Sequence, residues 1–257
     1  MPHISYSELK NWVTCPFYHK ITYLDGIRLF KGNEHTSFGT AIHETGEKMI
    51  LEETENPVEY FNETFQRELA ALTGVSLDEK LVTDMYRQGP ELLPLMLPAL
   101  KEHFGEFTYV AIEEDLYQDI EEFEDYKFKG FIDLVIKTSD GKYHIIDWKT
   151  CSWGWDSRRK TEKMTTYQLA LYKYFWSKKH AVSLDNIETH FALLKRTAKK
   201  NKVEIFRVPC GAKKIDNAIK LLTKALYNIS KENFMKNKLA CQGKWGPCEF
   251  YKSEHCP

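Results

Sequence analysis

The chain has 257 residues, enough to bury a full core in one elaborated domain or two, and its 42% hydrophobic and 14% aromatic content belongs to a folded protein, not a disordered one. With 36 basic against 37 acidic residues the net charge is −1, which excludes a globally basic nucleic-acid binder and confines any such surface to a local patch. No stretch is apolar for long enough to span a bilayer, and Met1-Pro2-His3-Ile4-Ser5 lacks the regions of a signal peptide, so the expected setting is intracellular and cytoplasmic, without a membrane and with reduced thiols.

Ser5 to Trp12 reads as the start of a helix, with Ser5 or Ser7 as its cap and Glu8 in the first turn. Cys15-Pro16-Phe17-Tyr18 follows, then the apolar positions Ile21, Tyr23 and Leu24. In Ser37-Phe38-Gly39-Thr40-Ala41-Ile42-His43-Glu44, small residues precede a helix expected to run to about Glu53 and allow it a close approach; His43 is a candidate ligand on it. Residues 56 to 105 read as helical segments begun or broken by Pro57, Pro90, Pro94 and Pro98. Thr108 to Ile120 alternates as a strand, with Glu113 and Glu114 near its middle. Acids are disfavoured inside strands, so one of the pair is expected to face a site, unless both face solvent on an edge.

Gly130 to Ile136 and Ile145 to Thr150 are two apolar strand-like runs carrying Asp133, Asp147 and Lys149. Side chains alternate along a strand, so Asp147 and Lys149 share a face. A two-residue Asp140-Gly141 turn would put Asp133 and Asp147 on opposite faces; a three-residue Ser139 to Gly141 loop pairs them and wants a left-handed third residue, which Gly141 supplies. The three-residue loop is therefore expected, with Asp133, Asp147 and Lys149 on one patch. Hard carboxylate oxygens there suit Mg²⁺ or Mn²⁺, and a lysine beside them suits the charge of phosphodiester hydrolysis. A surface cross-strand ion pair is the bland reading of the same residues.

Trp153 to Lys163 interleaves Trp153 and Trp155 with Arg158, Arg159 and Lys160, a pattern suited to single-stranded bases and phosphates or to a solvated loop beside a core tryptophan. Thr165 to Lys178 is a helix with Gln168 and Tyr172 on one face. Ile187 to Leu194 and Val203 to Val208 form a hairpin, whose connection carries Lys195, Arg196, Lys199 and Lys200 and either lies along a DNA backbone or is merely solvated. Lys213 to Phe234 is an amphipathic helix. Cys151 and Cys210 are isolated and read as packing residues, whereas Cys241, Cys248 and Cys256 crowd toward the C-terminus, far in sequence from Cys15. This order gives an α/β fold, a mixed central sheet flanked by helices. It is expected as a single domain over 1–257, with a helical part at 1–105, a core at 106–210, and a C-terminal helix and cysteine segment at 211–257.

The ordered set Gly39-Thr40-Ala41-Ile42-His43, Gly130-Phe131-Ile132-Asp133, Ile146-Asp147-Trp148-Lys149-Thr150 and Tyr167-Gln168-Leu169-Ala170-Leu171-Tyr172 resembles the RecB-like branch of the PD-(D/E)XK nuclease superfamily. The resemblance implies a restriction-endonuclease-like core with helical additions and the activity of a metal-dependent DNA exonuclease. It implies that His43, Asp133, Asp147 and the Trp148 carbonyl bind the divalent metal, that Lys149 serves the water or the phosphate, and that Gln168 and Tyr172 support the site. Glu113 fits the first-strand acid. Asp147 stands where Glu is commoner and still supplies a hard carboxylate. Members with a [4Fe-4S] cluster, of the AddB and CRISPR-adaptation types, place one cysteine before the core and three after it, which implies Cys15, Cys241, Cys248 and Cys256 as cluster ligands. The Cys241-x6-Cys248 spacing departs from the usual close pair; structural zinc is the alternative. The implied partners are DNA with single-stranded or duplex ends and a helicase, single-strand-binding or recombination protein, because no GxxxxGK[ST] loop is present. A spacer-trimming nuclease working with an integrase, and a silent DNA-end-binding module, are the alternative functions. A bacterial or phage origin is the natural setting for such a nuclease.

Overall fold

A computed structural model describes residues 1–243 and 246–256. In chain order the elements are β1 (His3–Ser5), α1 (Tyr6–Thr14), α2 (Pro16–His19), a π-helical turn (Lys20–Leu24), α3 (Glu34–Ile50), α4 (Pro57–Ala70) and α5 (Glu79–Phe104). There follow β2 (Phe107–Asp119), β3 (Lys127–Thr138), β4 (Tyr143–Cys151), α6 (Ser157–Thr161), α7 (Lys163–His180), β5 (Ile187–Lys195), β6 (Val203–Arg207) and α8 (Ala212–Ser230). The result is a mixed α/β fold with a six-stranded sheet in the order β1-β3-β4-β5-β6, with β2 also pairing β3. β1–β3 and β4–β5 are parallel, while β3–β4 and β5–β6 are antiparallel.

The chain clusters into two compact units, each built from separated segments. The first comprises residues 1–31, 116–130 and 211–257, and in it α1 packs on α8 and β1 lies beside Lys127 to Lys129. Helix α1 begins as expected, with Ser5 as N-cap accepting from the Glu8 N–H at 3.1 Å. The two chain ends meet within this unit, where the Tyr18 hydroxyl donates to Glu249 Oε1 at 2.7 Å and the Asn237 side chain donates to the Thr14 carbonyl at 2.8 Å.

The second unit, residues 32–115 and 131–210, holds the larger core. Phe38, Phe61 and Phe65 from α3 and α4 interlock edge-on and stacked, joined by Met85, Leu92, Leu93 and Met96 of α5 and by Ile146, Trp148, Ala192 and Leu194 of the sheet. The small residues that were expected to precede α3 lie inside it instead. Asn33 caps the helix earlier through a reciprocal capping box with Thr36, so the glycines become contact points along the helix. Gly39 passes Thr150 at ordinary contact distance, but at Gly46 a Cβ would fall 2.7 Å from Met96 Cε, and there the close approach is real.

Pro90, Pro94 and Pro98 do not break α5. They recur every four residues, Pro94 and Pro98 are exposed and Pro90 partly so, and carbonyls that lose their donors on that side can turn to water while the buried face continues. The β3–β4 loop is the expected three-residue one: the Gly141 N–H donates to the Thr138 carbonyl at 2.9 Å and Gly141 has φ +84°. Leu134 pairs with Ile146, and the same register carried one residue further sets Asp133 opposite Asp147.

Candidate active site

Five elements of the second unit deliver a side chain to one patch. His43 comes from the middle of α3, Glu113 from β2, Asp133 from β3, Asp147 and Lys149 from β4, and Gln168 and Tyr172 from α7. One ligand atom from each of His43, Glu113 and Asp133 lies within 4.8 Å of the others, with His43 Nδ1 3.5 Å from Asp133 Oδ2. Asp133 Oδ2 accepts the Trp148 N–H at 2.7 Å, tying the carboxylate to the next strand. Asp147, 1% exposed, is held on both oxygens: Gln168 Nε2 donates to Oδ1 at 2.8 Å and Lys149 Nζ pairs with Oδ2. The same Gln168 nitrogen lies 3.2 Å from the Tyr172 hydroxyl.

Glu113 reaches the patch through a kink. Its φ of +47° is left-handed, a conformation that costs a non-glycine residue about 1–3 kcal/mol and persists where surrounding structure imposes it. The neighbouring Glu114 turns elsewhere, to Trp176, Lys179 and His180.

Burial and crowding of like charges set the protonation of the patch. Burial raises Asp133 and Asp147 to about 6 against the pull of Lys149, and burial together with Asp133, Glu47 and Asp147 raises Glu113 to about 7. Burial lowers His43 to about 4, which leaves the imidazole neutral and able to ligate. Burial alone would lower Lys149, but Asp147 and Asp133 outweigh it and hold the ammonium above its ordinary value. The patch therefore carries more negative charge than Lys149 balances, and a hard dication is the species that its donor set fits.

The expected basic surface is only partly exposed. Arg158, Arg159, Lys199 and Lys200 face solvent, and Trp153 is 79% exposed. Trp155 is buried under the Arg159 guanidinium, 4.6 Å from its ring centroid. Lys195 and Arg196 correct the sequence reading. Both are buried: Lys195 pairs with Glu204 at 3.1 Å, and Arg196 donates to Gln88 Oε1 at 2.9 Å and to Ser152 Oγ at 3.2 Å, so neither is free for a DNA backbone. Lys160 also pairs with Glu204.

Within the first unit, Cys15, Cys241, Cys248 and Cys256 all line one cavity of about 540 Å³, together with aromatic residues that include Tyr18 and Phe250. Among the described residues, no three cysteine sulfurs lie within 4.8 Å of one another. Cys15 Sγ accepts the Asn237 N–H at 3.4 Å, and the Cys248 N–H donates to the Cys241 carbonyl at 2.9 Å.

A cluster that sequence reasoning missed lies elsewhere in the second unit, where ligand atoms of His144, Glu188 and His190 also fall within 4.8 Å of one another. His144 of β4 is 44 or more residues from the other two, which lie on β5, and only the parallel pairing of those strands, which places His144 opposite Glu188, unites them. The Glu188-x-His190 repeat on one strand face was the only local signal.

Residues 3–257 match the PD-(D/E)XK nuclease superfamily. The chain belongs to that family. Its fold is similar to that of a candidate exonuclease from Eubacterium rectale, at 11% identity over 91% of this chain and 84% of that one, with a TM-score of 0.55. The structure of SSO0001 superposes less well, at 13% identity over 86% and 84% of the two chains and a TM-score of 0.37. No curated protein matches the chain. The family uses divalent metals, the restriction-endonuclease-like core accounts for the sheet, and no helix among the described residues is long and apolar enough to cross a membrane.

Proposed function

We propose that the protein is a divalent-metal-dependent deoxyribonuclease that works as an exonuclease on single-stranded or duplex DNA ends, in recombination, repair or replication. The observation that carries the reading is the convergence of His43, Glu113 and Asp133 beside the Asp147–Lys149 pair. Asp133, Asp147, His43 and the Trp148 carbonyl would hold Mg²⁺ or Mn²⁺, which supplies a polarised phosphate oxygen and a water of lowered pKa. Lys149 remains an ammonium between two carboxylates, so its part is to stabilise charge on the phosphate rather than to accept a proton. Gln168 fixes the Asp147 oxygen that Lys149 does not pair with, tying the site to α7, and lies beside the Tyr172 hydroxyl of the same helix. Glu113 adds a negative charge that the patch tolerates best with a cation present. Trp153 offers an exposed face to a base, and Arg158, Lys199 and Lys200 offer charge to phosphates.

The four cysteines support a structural [4Fe-4S] cluster better than zinc. Thiolates on one tetrahedral zinc stand about 3.8 Å apart, given Zn–S bonds of about 2.3 Å. Cluster ligands sit on separate irons and need not converge on one point, and these four cysteines line one cavity without converging. Either metal would tie together the chain ends that already meet in this unit. Unwinding would fall to a partner helicase.

Digestion of linear and circular single-stranded DNA by anaerobically purified protein, with a Lys149→Ala control, tests the reading. Loss of the linear substrate alone, abolished in the control, is expected. Cutting of the circle would replace the exonuclease with an endonuclease, and metal-dependent cleavage surviving in the control would remove Lys149 from the chemistry.

A further inference from the structure

We infer that His144, Glu188 and His190 form a second metal site, nitrogen-rich and suited to Zn²⁺ rather than Mg²⁺, that clamps the first halves of β4 and β5. The three residues lie on even positions of their strands, whereas Asp147 and Lys149 are odd, so the cluster occupies the face of the sheet opposite the nuclease patch. His144 opposes Glu188 across the parallel pair, and His190 is two residues further along the same face. His144 Nδ1 lies 3.1 Å from His190 Nε2 and 4.0 Å from Glu188 Oε2. Donors on one tetrahedral ion with bonds of about 2.05 Å stand about 3.3 Å apart, so the imidazole pair already has the spacing of ligands to a single ion.

The hydrogen bonds around His144 are those of a metal-binding imidazole. Its Nε2 lies 3.0 Å from Thr138 Oγ1, and that hydroxyl has two other partners, the Asp140 carboxylate and the Lys142 carbonyl, both of which only accept. The hydroxyl hydrogen is spent on them, so His144 Nε2 carries a proton and donates it to Thr138. The lone pair of His144 is therefore on Nδ1, turned into the cluster. Fixing a ligand histidine from behind in this way is the usual second layer of a metal centre.

His190 completes the pair from the core. It is 3% exposed, and its Nδ1 has no hydrogen-bond partner. In the metal-free protein His190 Nε2 donates to His144 Nδ1; a cation between the two rings would take those same two nitrogens, with the Glu188 carboxylate as a third ligand. Two neutral imidazoles and one carboxylate select a borderline cation over a hard one. Glu188 is meanwhile neutralised by Lys142 at 3.1 Å and Arg207 at 3.3 Å, and both of these side chains are exposed enough to swing away. His103 in the last turn of α5 packs edge-on against His190, with ring centroids 5.8 Å apart.

Cobalt(II) titration of the full-length protein carrying Asp133→Asn tests the site, because that background disables the first cluster and thiolate-to-cobalt charge-transfer bands separate any binding by the cysteines. One equivalent with a visible spectrum of nitrogen and oxygen ligation is expected, displaced by Zn²⁺ but not by excess Mg²⁺, and lost on adding either His144→Gln or Glu188→Gln. Glu188 is partly exposed, so Glu188→Gln decides the matter if His144→Gln does not fold. Absence of that spectrum, or its persistence with Glu188→Gln, overturns the inference, and neither result depends on nuclease activity.

Discussion

Glu113 and Glu114 are neighbours in β2 that serve different structures: the first, at φ +47°, joins His43 and Asp133, and the second is pinned by Trp176, Lys179 and His180. One strained residue thus separates a carboxylate held near its like from one matched with cations.

Burial among like charges makes Glu113 a trade between stability and chemistry. Its folded pKa, about 7, lies above the ordinary carboxylate value, so the stability associated with its protonated form is intact below about 4.5 and is lost as pH rises through 7. In the presence of a chelator, Glu113→Gln is therefore expected to raise the urea midpoint relative to wild type at pH 8 and to leave it unchanged at pH 4.5. Nuclease activity should fall in the same variant.

Metal binding should release protons between pH 5.5 and 7. Asp133 and Asp147 titrate at about 6 without a cation, and a cation requires them ionised, whereas His43 is already neutral and adds none. Calorimetric titration with Mn²⁺ in buffers of different ionisation enthalpy measures this: proton release should be largest at the acid end of that range and fall away toward pH 8, with affinity rising as pH rises.

Gln168→Ala removes the donor to Asp147 Oδ1 without touching a proposed metal ligand. A loss of about 10- to 100-fold in metal affinity or rate is expected, the scale typical of residues that orient ligands. Gln168→Glu should be worse, because it adds a carboxylate to a patch already rich in them. The Mn²⁺ dependence of the cleavage rate distinguishes this from simple unfolding.

Gly89→Ala tests the packing of α5. A Cβ at Gly89 would run into the Phe61 ring, which is fully buried against Phe38 and Phe65. Overpacking of this kind costs about 1–3 kcal/mol, read as a lowered thermal midpoint with the nuclease patch unaltered.

Much of the site was legible because its signals are local. Gly141 fixes the hairpin register that sets Asp133 against Asp147, alternation places Lys149 beside Asp147, and helical spacing puts Gln168 next to Tyr172. What escaped depends on distant partners. The prolines of α5 read as breaks until one knows that they share an outer face. Lys195 and Arg196 read as a basic finger until Glu204 and Gln88 are seen beside them. The pairing of His144 with Glu188 needs the parallel β4–β5 contact, which no short motif announces.

The central claim, that the carboxylate patch hydrolyses DNA through a bound dication, is tested most directly by degradation of end-labelled linear DNA by wild type and by Asp147→Asn across a Mn²⁺ titration. Cleavage that requires the metal and falls at least about a hundredfold in the variant, with an unchanged circular-dichroism spectrum, is the predicted result. Cleavage without added metal in the presence of a chelator, or an Asp147→Asn protein as active as wild type, would contradict it.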